Sequence, residues 1–358
     1  MIHTRRVAFP NAGQARLSAS GAGIGLCCSL ESARPSFGYT CGREHAGFAV
    51  RRERPSRWRA AARHLIRCPP VTTPDVDAAA QFLAGNARVL DRRRFERLFS
   101  GGDARPVRDA VAAFRNSDGG FGHALEPDGR TPASQPAAVA MALRTLDEAE
   151  AWDEELVAGA CEWLAANAPA EGGASFVEPT VEGWPRAPWW GAEEGRPASL
   201  FTTGDIAATL HARHVEHRWL DDATALLWRR IDDLDDPGPY AFRGVLRFLQ
   251  HVPDRGRAEQ AFKRIGMLLF DRDMVALDPD AEGEVHTPLD FAPNPDSIAR
   301  RLFDEATIEA HLDHLAVSQA DDGGWTFNWL AWSPVAASEW RGSRTVDALW
   351  TLRANGRL

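Results

Sequence analysis

The heptapeptide Gln319-Ala-Asp-Asp-Gly-Gly-Trp325 is the stretch of sequence that decides the fold. A helix that precedes it must end here, because Gly323 and Gly324 allow backbone conformations that residues with a Cβ disfavour. Asp322 can accept hydrogen bonds from nearby amides, and the Trp325 side chain can fold back as a large apolar plug. The heptapeptide therefore predicts a tight turn that its own side chains hold in shape.

Weaker copies of this turn occur upstream. Residues 115–121 read Arg-Asn-Ser-Asp-Gly-Gly-Phe, and residues 171–176 read Glu-Gly-Gly-Ala-Ser-Phe. Asp118 and Asp322 are 204 residues apart, which is four periods of 51. A repeated unit of this size is typical of proteins built from stacked structural repeats. The spacing predicts five or six helical hairpins of about 50 residues each.

Apolar residues recur at helical spacing from residue 74 to the end of the chain, and an alternating strand pattern is almost absent. The first predicted helix opens at residues 74–77 and can run on to Leu98. Further helices are predicted over residues 106–114, 134–146, 154–166, 203–210, 220–231, 240–251, 257–270, 304–318 and 343–352. We therefore expect an all-α fold, with Trp-rich residues 326–342 forming a loop.

Composition limits the class of partner. The chain has 358 residues, of which 44% are hydrophobic and 25% charged, so it contains enough apolar material for a core. Residues 1–70 hold 12 Arg and 3 Glu, whereas the remainder holds 29 basic and 47 acidic residues. This acidic body argues against nucleic acid as a partner. The apolar run at residues 21–30 is too short for a transmembrane segment.

The first 70 residues differ in composition from the rest and contain four of the five cysteines. Three interpretations compete: a secretory signal, an organelle-targeting peptide, and upstream DNA translated from a start placed too early. We favour the last and expect residues 1–70 to be a disordered or spurious extension. Residues 71–358 then form a single domain. Its one cysteine, Cys161, allows no disulfide, so we expect a cytoplasmic protein.

The motif Q-x-x-D-G-G-W and helical hairpins of this period resemble the prenyltransferase and squalene-oxidase repeat of terpene cyclases and protein prenyltransferase β-subunits. The resemblance covers roughly residues 74–358. It implies an α/α toroid, in which inner helices surround a central cavity and outer helices surround the inner ones. It also implies that the motif braces outer helices, which gives a structural role to Gln319, Asp322, Gly323, Gly324 and Trp325.

A metal site is not expected. The zinc sites of protein prenyltransferases need Asp, Cys and His, and lanthionine-type cyclisation needs two Cys and a His, but Cys161 has no neighbouring His. His211, His214 and His217 recur at a spacing of three residues, which more commonly marks a polar helix face. We therefore predict no metal and no cofactor.

The acidic run Asp233-Leu-Asp-Asp236 matches the D-x-D-D motif in which class II terpene cyclases hold their proton donor. The resemblance makes Asp235 a candidate acid, since neighbouring carboxylates raise one another's pKa and keep one of them protonated. However, Pro237-Gly-Pro239 follows directly. We favour a solvated surface turn and keep Asp235 as a candidate.

Loops longer than a turn requires follow the first motif copy and flank the last one. Their carboxylates are candidate acids and bases: Glu126, Asp128 and Asp290. Their other polar and aromatic side chains are candidate substrate-binding groups: His123, Arg130, Asp296, Trp329, Trp332, Glu339 and Trp340. The alternatives stay open, since each carboxylate can cap a turn and each tryptophan can pack in the core.

Three hypotheses for function follow. The two enzyme hypotheses place a small-molecule substrate, an isoprenoid or a carbohydrate, in the central cavity. The first is a terpene cyclase-like or prenyl-substrate enzyme, with a carboxylic acid as proton donor in an apolar, Trp-lined cavity. The second is a carbohydrate-active toroid, a hydrolase or lyase. The third is a non-catalytic binding or scaffold module. A dry aromatic cavity with one buried acid favours isoprenoids, and an open groove with two carboxylates about 5 to 10 Å apart favours sugars.

Overall fold

The computed structural model describes residues 73–358, which form an all-α protein, as predicted. The α-helices are α1 (Val76–Asn86), α2 (Val89–Phe99), α3 (Arg105–Ala112), α4 (Pro136–Glu148), α5 (Glu154–Asn167), α6 (Leu200–Ala212), α7 (Arg218–Asp232), α8 (Gly238–His251), α9 (Arg255–Ile265), α10 (Leu268–Asp271), α11 (Pro288–Phe291), α12 (Glu305–Val317) and α13 (Pro334–Ala354). Two 3-10 helices span Pro179–Val181 and Ile298–Leu302. The described residues form no β-strand. The predictions for residues 1–70 lie outside them.

The last helix begins nine residues earlier than predicted. Ser333 accepts a hydrogen bond from the backbone N–H of Ala336 at 3.1 Å, and Pro334 occupies the first helical position, where its missing N–H costs nothing. The prediction of a loop over residues 326–342 is therefore wrong from Pro334 onward. As a consequence, Glu339 and Trp340 lie on α13.

The first glycine of the Gly-Gly turn has a left-handed φ in all three copies. The φ angles are +91° at Gly119, +96° at Gly172 and +88° at Gly323. In the first copy, a Cβ on Gly119 would lie 2.6 Å from the carbonyl oxygen of Gly159 in α5. In the last copy, a Cβ on Gly323 would lie 2.3 Å from the carbonyl oxygen of Ala78 in α1. Each of these two turns thus lies directly against the backbone of a neighbouring helix.

Polar groups of the last copy tie the end of the chain to α1. The Gln319 side chain accepts from the backbone N–H of Asp75 and donates to its carbonyl, both at 2.8 Å. Asp322 forms a bidentate ion pair with Arg341 of α13, at 2.7 and 2.8 Å. Trp325 is 2% exposed, and its indole N–H donates to a carbonyl of α12 at 2.9 Å. The motif therefore joins α1, α12 and α13.

Contacts between helices follow an order that returns to its start. Helix α4 packs on α6, α6 on α8, α8 on α11, α11 on α12, and α12 on α13. Helix α13 packs on α1 and α2, and α2 connects back to α4 through α3. The α6–α8 contact is the most extensive, because Gly204 and Gly244 let the two backbones approach closely. A Cβ on Gly204 would lie 2.4 Å from the carbonyl oxygen of Gly244.

Candidate functional site

A cavity of about 1720 Å³ lies among α2, α4, α6, α8, α12 and α13. The segments around Asp290 and Trp329 complete its wall. It is lined by five of the candidate site residues: Glu126, Asp128, Asp290, Trp329 and Trp340. Both charged and aromatic side chains line the cavity, so it is not purely apolar. Its volume shows that side chains do not fill it.

Asp128 organises one side of the cavity. Its Oδ1 accepts from the indole N–H of Trp340 at 2.8 Å, and its Oδ2 accepts from that of Trp189 at 3.0 Å. The residue is 5% exposed. Burial raises the pKa of Asp128, although the two indole donors oppose this shift. With both oxygens engaged, Asp128 is suited to positioning the two tryptophans rather than to moving a proton.

Glu126 lies beside Asp128 and has a different environment. Its Oε2 accepts a hydrogen bond from the backbone N–H of Asp128 at 2.8 Å. Burial, followed by the nearby Asp128 carboxylate, raises the pKa of Glu126 well above its ordinary value, while Arg88 and Arg130 only partly offset these effects. Glu126 is therefore a cavity-lining carboxyl group whose environment favours the protonated acid.

Asp290 has the opposite tendency. It belongs to a capping box at the start of α11, where its Oδ2 accepts from the backbone N–H of Thr287 at 2.8 Å and from its hydroxyl at 3.0 Å. Burial alone would raise the pKa of Asp290, but the guanidinium groups of Arg243 and Arg344 lower it below its ordinary value. Asp290 is thus held as an ionised carboxylate on the cavity that Glu126 also lines.

A chain of partly buried ion pairs joins the helices around the cavity. Arg94 of α2 contacts Asp347 of α13 at 2.8 Å and Glu148 of α4 at 3.0 Å. Arg144 of α4 contacts Asp205 of α6 at 3.4 Å, and Arg247 of α8 pairs with the other oxygen of Asp205. Sequence reasoning missed this network. The available signal was a charged residue inside an otherwise apolar helix, as in Thr-Thr-Gly-Asp-Ile at residues 202–206.

An aromatic and imidazole pair stands near Asp290. The ring of His286 is edge-on to that of Tyr240, with centroids 4.5 Å apart. Burial and then Arg243 lower the pKa of His286, which favours the neutral imidazole. Burial and the hydrogen-bonded Glu284 raise the pKa of Tyr240 to about 12. Tyr240 therefore remains a neutral phenol, and it is a poor general base.

Two candidate carboxylates lie away from the cavity. Asp235 is exposed in the turn between α7 and α8 and pairs with Arg272. We correct its assignment as a candidate acid, since it does not reach the cavity, and the favoured alternative of a solvated turn describes it. Asp296 is also exposed. It borders a second, smaller cavity of about 550 Å³ with Arg300, so it is not part of the main site.

The remaining candidates pair with one another or face solvent. Arg130 forms a bidentate ion pair with Glu339 at 2.7 and 3.0 Å, which links the loop after the first motif to α13, and its guanidinium lies 5.9 Å from the Trp332 ring centre. His123 is exposed and bonds Asn116 at 2.8 Å. None of these four predicted binding groups lines the main cavity.

Within residues 73–358, no group of three or more His, Cys, Asp or Glu side chains is arranged to hold a metal ion. No helix in this part of the chain combines the length and apolar character that a membrane span requires.

Comparison with known proteins gives information on the fold alone. No protein-family model matches the chain, and no curated protein matches it. The crystal structure of a protein from Actinoplanes is similar, with a TM-score of 0.52 and 15% sequence identity over 78% of this chain and 98% of the other. This similarity supports the all-α fold and does not indicate a reaction.

Proposed function

We propose that the protein is an enzyme that binds a polar small molecule in the main cavity and acts on it by general acid–base catalysis. One observation carries this proposal. Glu126 and Asp290 line the same cavity, and their environments move their pKa values in opposite directions. Two carboxyl groups whose pKa values differ in this way can serve as one acid and one base. Glu126 would be the acid and Asp290 the ionised partner.

The helix order supports the toroid that the repeat resemblance implies. In this arrangement α2, α4, α6, α8, α12 and α13 would face the centre of the ring, since each contributes side chains to the cavity lining. The last motif copy would close the ring by fastening α12 and α13 to α1. The buried, unpaired Cys161 is compatible with a cytoplasmic protein, as burial raises the pKa of its thiol to about 12 and keeps it unreactive.

The charged lining favours a glycoside as substrate over a hydrocarbon. Sugar hydroxyls can bond the carboxylates and guanidinium groups of the lining, whereas an apolar chain would have to desolvate them. Glu126 would donate a proton to the leaving glycosidic oxygen as the bond to the anomeric carbon breaks. Asp290 would either activate a water molecule or attack that carbon. The rings of Trp329 and Trp340, with centroids 5.2 Å apart, would contact a sugar face.

A panel of aryl glycosides tests this proposal. We expect hydrolysis of at least one by the wild type, and a 10²- to 10⁴-fold lower rate for Glu126→Gln. A dinitrophenyl leaving group, which needs no proton, should restore most of the lost rate. Asp290→Asn should be equally slow on both leaving groups, and the surface control Asp235→Asn should match the wild type. Hydrolysis that is unchanged in Glu126→Gln would refute the assignment.

A terpene cyclase-like or prenyl-substrate enzyme is the second candidate. The aromatic part of the lining favours it, since Phe201, Tyr240, Trp329 and Trp340 could stabilise a carbocation that Glu126 creates by protonating an alkene. Incubation with prenyl diphosphates and squalene, followed by product analysis, tests this alternative. Cyclised products that disappear in Glu126→Gln would favour it over the glycoside.

A further inference from the structure

Two arginines differ from every other arginine in the described part of the chain. The side chains of the rest, across residues 73–358, donate hydrogen bonds or lie at ion-pair distance from a carboxylate. Arg243 on α8 and Arg344 on α13 do neither. Both line the main cavity. A guanidinium group carries five N–H donors and stays charged at neutral pH, so these two groups present unused donors to one space.

Aromatic rings flank both groups without using their donors. The guanidinium carbon of Arg243 lies 5.9 Å from the ring centre of Phe201 and 6.0 Å from that of Tyr240. That of Arg344 lies 5.9 Å from the ring centre of Trp329. Cation–π contacts at this distance use none of the N–H donors. The two groups therefore keep their donors available beside the cavity.

The carboxylates around the pair leave its N–H donors unused. Arg243 and Arg344 are close enough that the second lowers the pKa of the first, after the larger effect of burial. Both guanidinium groups lower the pKa of Asp290, whose Oδ2 already accepts two hydrogen bonds from Thr287. Asp205 and Asp347 also interact electrostatically with the pair, but each forms its ion pairs with other arginines. The nearby carboxylates thus attract the two cations without accepting hydrogen bonds from them.

We infer that Arg243 and Arg344 form an anion-binding subsite that holds a carboxylate or phosphate group of the ligand in the cavity. Planar guanidinium forks match both oxyanions and bind them through paired N–H···O bonds. The inference rests on the proposed function and names its substrate class, an acidic sugar such as a uronate or a sugar phosphate. The subsite lies beside Asp290, so it would place the anionic end of the ligand at the base.

Calorimetric titration of the full-length protein tests the inference with inorganic phosphate, glucuronate, glucose 6-phosphate and neutral glucose. We expect at least one anionic probe to bind the wild type at least tenfold more tightly than glucose. Arg243→Gln and Arg344→Gln should each weaken that binding at least tenfold. The control Arg301→Gln removes a surface arginine paired with Glu259, and it should leave binding unchanged.

Loss of folding is measured separately from loss of binding. Each single substitution leaves one arginine beside Asp290, and the melting temperature of each variant is recorded with its affinity. Equal affinity of the wild type for glucose and all anions would overturn the inference, and so would anion binding that both substitutions leave intact. Glu126→Gln separates the two proposals, since it should slow turnover about 10²- to 10⁴-fold but retain anion binding. Turnover without anion binding would refute only the subsite, and anion binding without any Glu126-dependent turnover would refute only the proposed function.

Discussion

Replacing Gly323 by alanine tests whether the last motif copy holds the end of the chain against α1. The residue has φ +88°, and its new Cβ would lie 2.3 Å from the carbonyl oxygen of Ala78. A left-handed backbone costs a residue with a Cβ about 1–2 kcal/mol. Forcing a methyl group into a close-packed contact adds about 1–3 kcal/mol. We therefore expect Gly323→Ala to lower the free energy of unfolding by about 2–5 kcal/mol.

Two other glycines separate these contributions. Gly183 has φ +82° but open space around its Cβ position, so Gly183→Ala should cost only the backbone part, about 1–2 kcal/mol. Gly85 lies inside α1 with an ordinary φ and open space. Gly85→Ala should raise the free energy of unfolding by about 0.5–1 kcal/mol. The difference between Gly323→Ala and Gly183→Ala then measures the contact with α1.

Urea unfolding followed by far-UV circular dichroism measures all four proteins on one scale. The slope of free energy against urea should be unchanged, because each variant buries the same surface. If Gly323→Ala costs no more than Gly183→Ala, the turn does not abut α1 in solution. That result would refute the closure of the helix order between the two ends of the described chain.

Three further tests concern the ion pairs and the cavity acid. Asp205→Asn should lower the free energy of unfolding by about 1–3 kcal/mol, because it removes the charged hydrogen-bond partner of two partly buried arginines. Asp235→Asn, in an exposed pair, should cost much less in the same urea titration. A double-mutant cycle on Arg130→Ala and Glu339→Ala should give a coupling of about 1–2 kcal/mol, and a coupling near zero would show that the pair does not join the first loop to α13. Because folding raises the pKa of Glu126 above 4.5, the wild type should lose stability relative to Glu126→Gln as pH rises from 4.5 and level off above the folded pKa; a difference that is flat with pH would contradict this.

Helices and turns were predictable because their signals are local. Apolar spacing identifies a buried helix face, and the glycines of residues 319–325 identify a left-handed turn. The start of α13 was missed although Ser333-Pro334 is a recognised start signal, because the Trp-rich residues around it were interpreted as a functional loop. A capping serine followed by proline is thus a better indicator of where this helix begins than the composition of the residues around it.

The candidate site was only partly predictable, since a sequence does not state which loops meet. Glu126, Asp128 and Asp290 line the cavity, and their predicted catalytic roles stay predictions. Asp235 and Asp296 have the same chemistry and similar Pro-rich surroundings, yet they lie on the surface. The difference depends on how the helices are arranged around the cavity, which involves residues far apart in the chain.

The paired arginines were not predictable for a related reason. Arg243 and Arg344 are separated by about a hundred residues, and each lies on a helix where an arginine is ordinary. What distinguishes them is the absence of a partner within the described residues, and that absence is visible only when every neighbour is placed. Burial of charge without pairing is thus a structural signal rather than a sequence signal.

The titration of the Glu126 carboxyl group tests the central claim most directly. Side-chain ¹³C NMR of glutamate-labelled protein follows it, and the signal is assigned by its loss in Glu126→Gln. The account predicts a pKa well above 4.5, with the carboxyl protonated while Asp290 in the same cavity is ionised. A pKa of Glu126 at or below 4.5 would contradict its role as the proton donor.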